Sequence, residues 1–165
     1  DIFNNLNDYS KKIIEEKDFI FLISLMIVDG TDNDEYFIYK YNISNNDKKR
    51  IRFLSNLFYK NLKKDTFTEK NLWKIFYLEG KDHLNDLFNF KLLENKKLDK
   101  KLIKLKEFFQ TKEVPKFEIK ANTLIEKYNY KEGKELGNKL SEIEEFWIEN
   151  SFKISDKDLE KIVKN

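Results

Sequence analysis

Cysteine is absent from the 165 residues, which excludes disulfides and thiolate metal sites. Histidine occurs once, at His83, so chemistry that needs two imidazoles is excluded, including the HD-type phosphohydrolase site and HExxH zinc sites. There is one proline and there are four glycines. Arginine is almost missing: 30 of the 32 basic residues are lysine. Long apolar runs are missing too. The longest, Phe19 to Val28, is broken by Ser24 and is too short to span a bilayer, so no membrane partner is expected. No charged segment precedes an apolar stretch with a small-residue cleavage site, and we see no signal peptide. The first residue is Asp and not Met, which suggests a piece of a longer protein.

Hydrophobic residues make up 40% of the chain and charged residues 38%, which fits neither a disordered chain nor a membrane protein. The 15 Phe, 8 Tyr and 2 Trp can build a core. Lysine, asparagine, isoleucine and phenylalanine are all over-used, a bias that resembles AT-rich coding. A lysine cluster therefore weighs less than usual, and Arg50 and Arg52 weigh more. Net charge is only +2, but it is unevenly spread. Residues 1–43 carry 9 acids and 4 bases, whereas residues 44–64 carry 7 bases and 1 acid. Residues 95–112 carry 7 bases and 2 acids, and residues 134–150 carry 2 bases and 5 acids.

Helical periodicity dominates, and no convincing period-two strand is present. The expected fold is all-α: a multi-helix body over residues 1–113, then a small helical tail over 114–165. Pro115, in TKEVPKFE, marks the boundary. The clearest helix starts at Ser44 as N-cap and runs to about Lys64. Ile51, Leu54, Phe58 and Leu62 form its apolar stripe, while Lys49, Arg52, Asn56, Lys60 and Lys63 share an arc of about 80° elsewhere. A second helix starts near Thr68, buries Leu72, Ile75 and Phe76, and stops at Gly80. A third runs from Asp99 to Lys112 with Leu98, Leu102, Leu105 and Phe109 inward and Lys97, Lys100, Lys101 and Lys104 opposite. A fourth runs from Lys134 to Asn150, with Leu136, Leu140, Ile143 and Trp147 facing the core and Glu142, Glu145 and Glu149 facing away. The last begins at Ser155, where Asp158 completes an approximate capping box.

Candidate catalytic groups read as ordinary structure. Asp32-Asn33-Asp34 and Asp156-Lys157-Asp158 match the DxD pattern of a two-metal site, but neither follows a strand that would hold two carboxylates on a metal pair. DGTDND also lacks the glycine and glutamate positions of a calcium loop. His83 has no second imidazole and no nucleophile motif beside it. The aromatics Phe53, Phe58, Tyr59, Trp73, Phe76 and Tyr77 fall largely at core spacing. The basic face of the 44–64 helix is the best binding candidate, because phosphates are met by Lys and Arg on one face of a rigid element. The lysine face at 97–104 reads as a solvated surface. Gly137, one turn inside its helix, costs about 1 kcal/mol relative to Ala, and close approach of another helix or of a ligand backbone is the expected compensation, with helix packing favoured.

Residues 114–152, VPKFEIKANTLIEKYNYKEGKELGNKLSEIEEFWIENSF, resemble the C-terminal segment of bacterial class II CCA-adding tRNA nucleotidyltransferases of the alphaproteobacterial type. The positions that carry the resemblance are Pro115, Phe117, Ile119, Leu124, Gly133, Leu136, Gly137, Leu140, Ile143, Glu144, Trp147, Ile148 and Phe152. Ala121, Thr123, Tyr128 and Glu132 depart from the family pattern. Upstream, NISNNDKKRIRFLSNLF is similar to the family's body helix. In that family an N-terminal head carries the chemistry, with a Gly-Ser phosphate turn, a DxD metal pair and a neck that reads CTP or ATP. This chain has no Gly-Ser pair. The resemblance therefore implies body and tail only, with tRNA as partner alongside the catalytic head of the full-length protein, and a cytoplasmic location. It implies no cofactor in this chain, Mg and CTP or ATP belonging to the head. The expected RNA contacts are Lys49, Arg52, Lys60 and Lys63 on the body helix, with Lys131, Gly133 and Lys134 at a tail helix N-terminus. The family's poly(A) polymerase branch and a helical protein-interaction module without RNA affinity stand as alternatives. The purified chain with magnesium and tRNA should incorporate neither CMP nor AMP, and measurable incorporation of either would overturn the assignment of chemistry to a missing head.

Overall fold

A computed structural model describes residues 3–57, 66–95 and 97–164. Among them there are helices and no strand, so the fold is all-α. The chain divides into two compact units, one ending at Val114 and the other beginning at Pro115.

The first unit contains α1 (Asp8–Glu16), α2 (Phe19–Ile27), α3 (Asn33–Tyr41), α4 (Asn45–Ser55), α5 (Glu69–Glu94) and α6 (Lys100–Gln110). Short polar side chains start most of them by accepting a free backbone N–H of the first turn. Asn7 accepts from Ser10 N, Asp18 from Phe21 N and Asp99 from Leu102 N. Ser44 caps α4 as its position suggests, accepting from Asp47 N. Described α4 ends at Ser55, and Phe58, Tyr59, Lys60, Leu62 and Lys63 lie outside the described residues.

The helix expected to stop at Gly80 does break there, but a second helical segment follows at once. Gly80 has φ 83 and ψ 178, a left-handed conformation that α5 crosses as a kink. The segment after the kink, residues 81–94, buries Leu84, Leu87, Phe88, Phe90, Leu92 and Leu93. These residues point in nearly every direction around the axis, so the segment is a core helix and lacks the one-sided stripe that betrays a surface helix. Ile51 and Leu54 from α4, Phe21 from α2 and Leu72 and Phe76 from the first half of α5 pack with it. Trp73, Phe76 and Phe109 make mutual edge-on contacts with ring centroids 5.0–5.8 Å apart. Of the aromatic run noted in the sequence, Phe53 and Phe76 are buried, and Trp73 and Tyr77 are half-buried.

The second unit contains α7 (Ala121–Tyr128), α8 (Lys134–Glu149) and α9 (Asp156–Lys164). Leu124, Leu136, Ile143 and Leu159 form its core, with Leu140 packed against them. Glu142, Glu145 and Glu149 are exposed as their helical positions require. The capping box of α9 closes in both directions: Asp158 N donates to Ser155 Oγ, and Ser155 N donates to the Asp158 carboxylate. Gly137 corrects the sequence reading. A Cβ built there meets nothing within 4 Å, so no packed helix returns its propensity cost.

Trp147 is 8% exposed, its ring 5.3 Å from Phe117 and 4.9 Å from Phe152. Truncating so large a buried ring should remove about 3–5 kcal/mol of stability. Chemical denaturation of Trp147→Ala measures this, and a loss under about 1 kcal/mol would mean the ring stabilises little.

Candidate nucleic-acid interface

Asp86 sits on the buried side of α5, 1% exposed, between two cations. Lys17, at the C-cap of α1, reaches its Oδ1 at 2.8 Å. The Arg50 guanidinium of α4 bonds its Oδ2 through Nε, and the same guanidinium holds Asp18 at 2.8 Å. The cluster ties the α1–α2 junction, α4 and the second half of α5 to one carboxylate. It also bounds a cavity of about 350 Å³ lined in addition by Asn46, Gly80, His83 and Asn85. His83 is half-buried and stacks edge-on against Phe53, with centroids 5.2 Å apart. Arg50 is thus spent inside the protein, its basicity raised, although burial opposes this, because Asp86 and Asp18 both bond its charged form.

Arg52 is exposed on α4 but also engaged. Its Nε and a terminal nitrogen grip the two oxygens of Glu35 on α3 at 2.8 and 2.7 Å, a two-point clamp. The acid lies 17 residues away in sequence, so no helical projection of α4 reveals it. Lys49 is exposed and makes no ion pair with a described residue. Lys60 and Lys63 lie outside the described residues, and the four positions therefore do not appear together as one described surface.

The lysines of α6 present the opposite picture. Lys97, Lys100, Lys101 and Lys104 are all exposed, and none forms an ion pair with a described residue. At 100° per residue, Lys100, Lys104, Phe108 and Lys101 fall within an arc of about 100°, while Leu102 and Phe109 point into the core. Phe108 is 37% exposed on the lysine side. Lys112 places its ammonium 4.5 Å from the centre of that ring. Asp99, the nearest acid at the start of this helix, is occupied as its N-cap. The face read from sequence as merely solvated is the more complete basic surface among the described residues.

In the tail, Lys131, Gly133 and Lys134 are exposed at the start of α8. Gly133 is the N-cap, with φ 145, and no side chain caps the helix. Glu132 and Glu135 are exposed beside them, which lowers the attraction for an anion. The two DxD matches lie at helix starts. Asp158 caps α9, and Asp34 is buried at the start of α3. No group of three or more potential metal ligands occurs among the described residues. A second cavity, about 400 Å³, lies in the tail beside Phe117, Trp147 and Phe152, with Lys116 and Lys153 among its lining residues.

Searches of protein-family models, curated proteins and solved structures find no match for the chain.

Removing the carboxylate at Asp86 strands Lys17 and Arg50 in a partly buried site. Asp86→Ala should cost about 3–5 kcal/mol, the usual penalty for breaking a buried pair. Asp18 adds a pH signature. Burial opposes its ionisation, but hydrogen bonds from Arg50 and Phe21 N and the nearby cations prevail and hold its carboxyl below the usual value. A depressed folded pKa stabilises above the unfolded value, near pH 3.9, and that contribution is lost as pH falls through the folded value. Urea unfolding between pH 6 and pH 2 should show this acid loss, and Asp18→Asn should flatten it.

Proposed function

We propose that this chain binds RNA through phosphate contacts, and that the RNA is tRNA. The observation that carries the reading is the α6 face, where exposed lysines at helical spacing form no ion pair with a described residue. Three ammonium groups on one side of a rigid helix, with Lys97 just before it, repel one another, and a polyanion relieves that repulsion while releasing condensed counterions. Phe108 on the same arc offers an apolar surface for a sugar or base. Double-helical RNA presents mainly phosphates and 2′-hydroxyls, and such a face suits that backbone without reading sequence.

The choice of tRNA rests on the resemblance of residues 114–152 to the tail of CCA-adding nucleotidyltransferases. In this reading the chain is the body and tail that position the tRNA 3′ end. A head outside this chain would transfer CMP and AMP from CTP and ATP with Mg, releasing pyrophosphate, in the cytoplasm. Lys49 on α4 and Lys131 and Lys134 at the start of α8 are secondary contacts. Arg52 contributes only if RNA competes with Glu35 for its guanidinium. Among the described residues no helix is long and apolar enough to cross a membrane.

Labelled tRNA titrated at several salt concentrations tests the reading. Affinity should fall steeply as salt rises. The Lys100→Glu, Lys101→Glu, Lys104→Glu triple variant should lose at least about tenfold in affinity, and its salt slope should fall by roughly two to three. The melting temperature should hardly move, because exposed charges contribute little to stability. Unrelated tRNAs should weaken alike, while a greater preference for unstructured oligo(A) would favour the polyadenylating branch. Unchanged affinity in the triple variant would remove α6 from the interface.

A further inference from the structure

The sequence of α2, FIFLISLMI, contains no charged residue, yet one side of the helix is open to solvent. Phe21, Ser24, Leu25 and Val28 face the core. Phe19 and Met26, two turns apart on the other side, are 68% and 63% exposed, and Leu22 and Ile23 between them are half-buried. At 1.5 Å per residue the stripe from Phe19 to Met26 is about 10 Å long. Surface helices ordinarily turn charged residues outward, and an outer face made only of phenylalanine, methionine, leucine and isoleucine marks a contact surface.

The ends of the stripe specify its partner. Glu15 and Glu16, at the end of α1, precede Phe19 by three or four residues. Asp29 and Asp32 follow Met26 by three and six residues. All four acids are exposed and none forms an ion pair with a described residue, although Glu16 also lies within electrostatic reach of Tyr9 and Lys106. RNA and anionic membrane surfaces are repelled by such a rim. A second copy is disfavoured as well, because laying α2 on α2 in either direction sets acids against acids. We propose that α2 is a docking surface for a protein helix whose apolar stripe is flanked at both ends by lysine or arginine. Methionine suits this role, since its flexible, polarizable side chain adapts to a partner's contour. Apolar contact supplies the affinity, and the paired charges set register and on-rate. The inference is independent of the RNA reading, because it concerns an acidic face and a different ligand.

An amidated 18-residue helical peptide with leucine on one face and lysine on the other is a suitable probe, with a leucine–glutamate peptide as control. Titration into the full chain, followed by fluorescence anisotropy, should give saturable binding of the lysine peptide and none of the glutamate peptide. Phe19→Ser with Met26→Ser should weaken binding at least about tenfold, as should replacing Glu15, Glu16, Asp29 and Asp32 with the neutral amides. Circular dichroism should show all variants folded, and tRNA affinity should be unchanged in the serine variant, which separates this surface from the RNA face. Equal binding of both peptides, or undiminished binding by the serine variant, overturns the proposal. So does a dimer in sedimentation velocity that the serine variant abolishes, since α2 would then be a self-association face.

Discussion

A buried carboxylate is tolerated only when its charge is answered, and Asp86 is answered twice. Lys17 approaches from the end of α1 and Arg50 from the middle of α4, while Asp86 itself sits among Leu84, Leu87 and Phe88. Greasy contacts are indifferent to small slips, but this arrangement is not. If α4 rotated by one residue, Arg50 would leave the carboxylate and a charge would stand unpaired in the core. The cluster thereby sets the rotational register of α4. That register determines that Ile51 and Leu54 point inward while Lys49 and Arg52 point out.

Much of the fold was legible because surface helices advertise themselves. Ser44 and Ser155 cap helices where their spacing suggests, and the stripes Leu136–Ile143–Trp147 and Leu102–Phe109 are buried. Residues 81–94 were harder, since a helix covered on all sides has no amphipathic signal. Gly80 was legible as a stop but not as a kink, because the restart depends on tertiary packing. Gly137 invited a packing explanation that the open space around it does not support.

The candidate site was less legible for a related reason. Helical projection arranges a helix's own residues and is blind to what lies opposite. It put Arg52 among free cations, although Glu35 of α3 clamps it, and it gave no hint that Arg50 is an interior residue. Asp86 carried the missing signal: one acid inside LNDLFNF, where every neighbour is apolar or amide, asks for a cation from elsewhere in the chain. The lysines of α6 looked commonplace in a lysine-rich sequence, and their standing rose only once they were seen to be exposed and without an ion pair to a described residue, with Glu107 the one acid at the edge of their arc.

The kink at Gly80 has a genetic consequence. Every single-nucleotide change that alters the amino acid encoded by a glycine codon adds a Cβ. At Gly80 that Cβ would meet no atom within 4 Å, so bulk is not what the position rejects. The burden comes instead from the left-handed backbone and weighs on small and large replacements nearly alike. Variation at this codon should consequently show a threshold and not a gradient by side-chain size, because φ 83 with ψ 178 is a backbone region that essentially only glycine occupies.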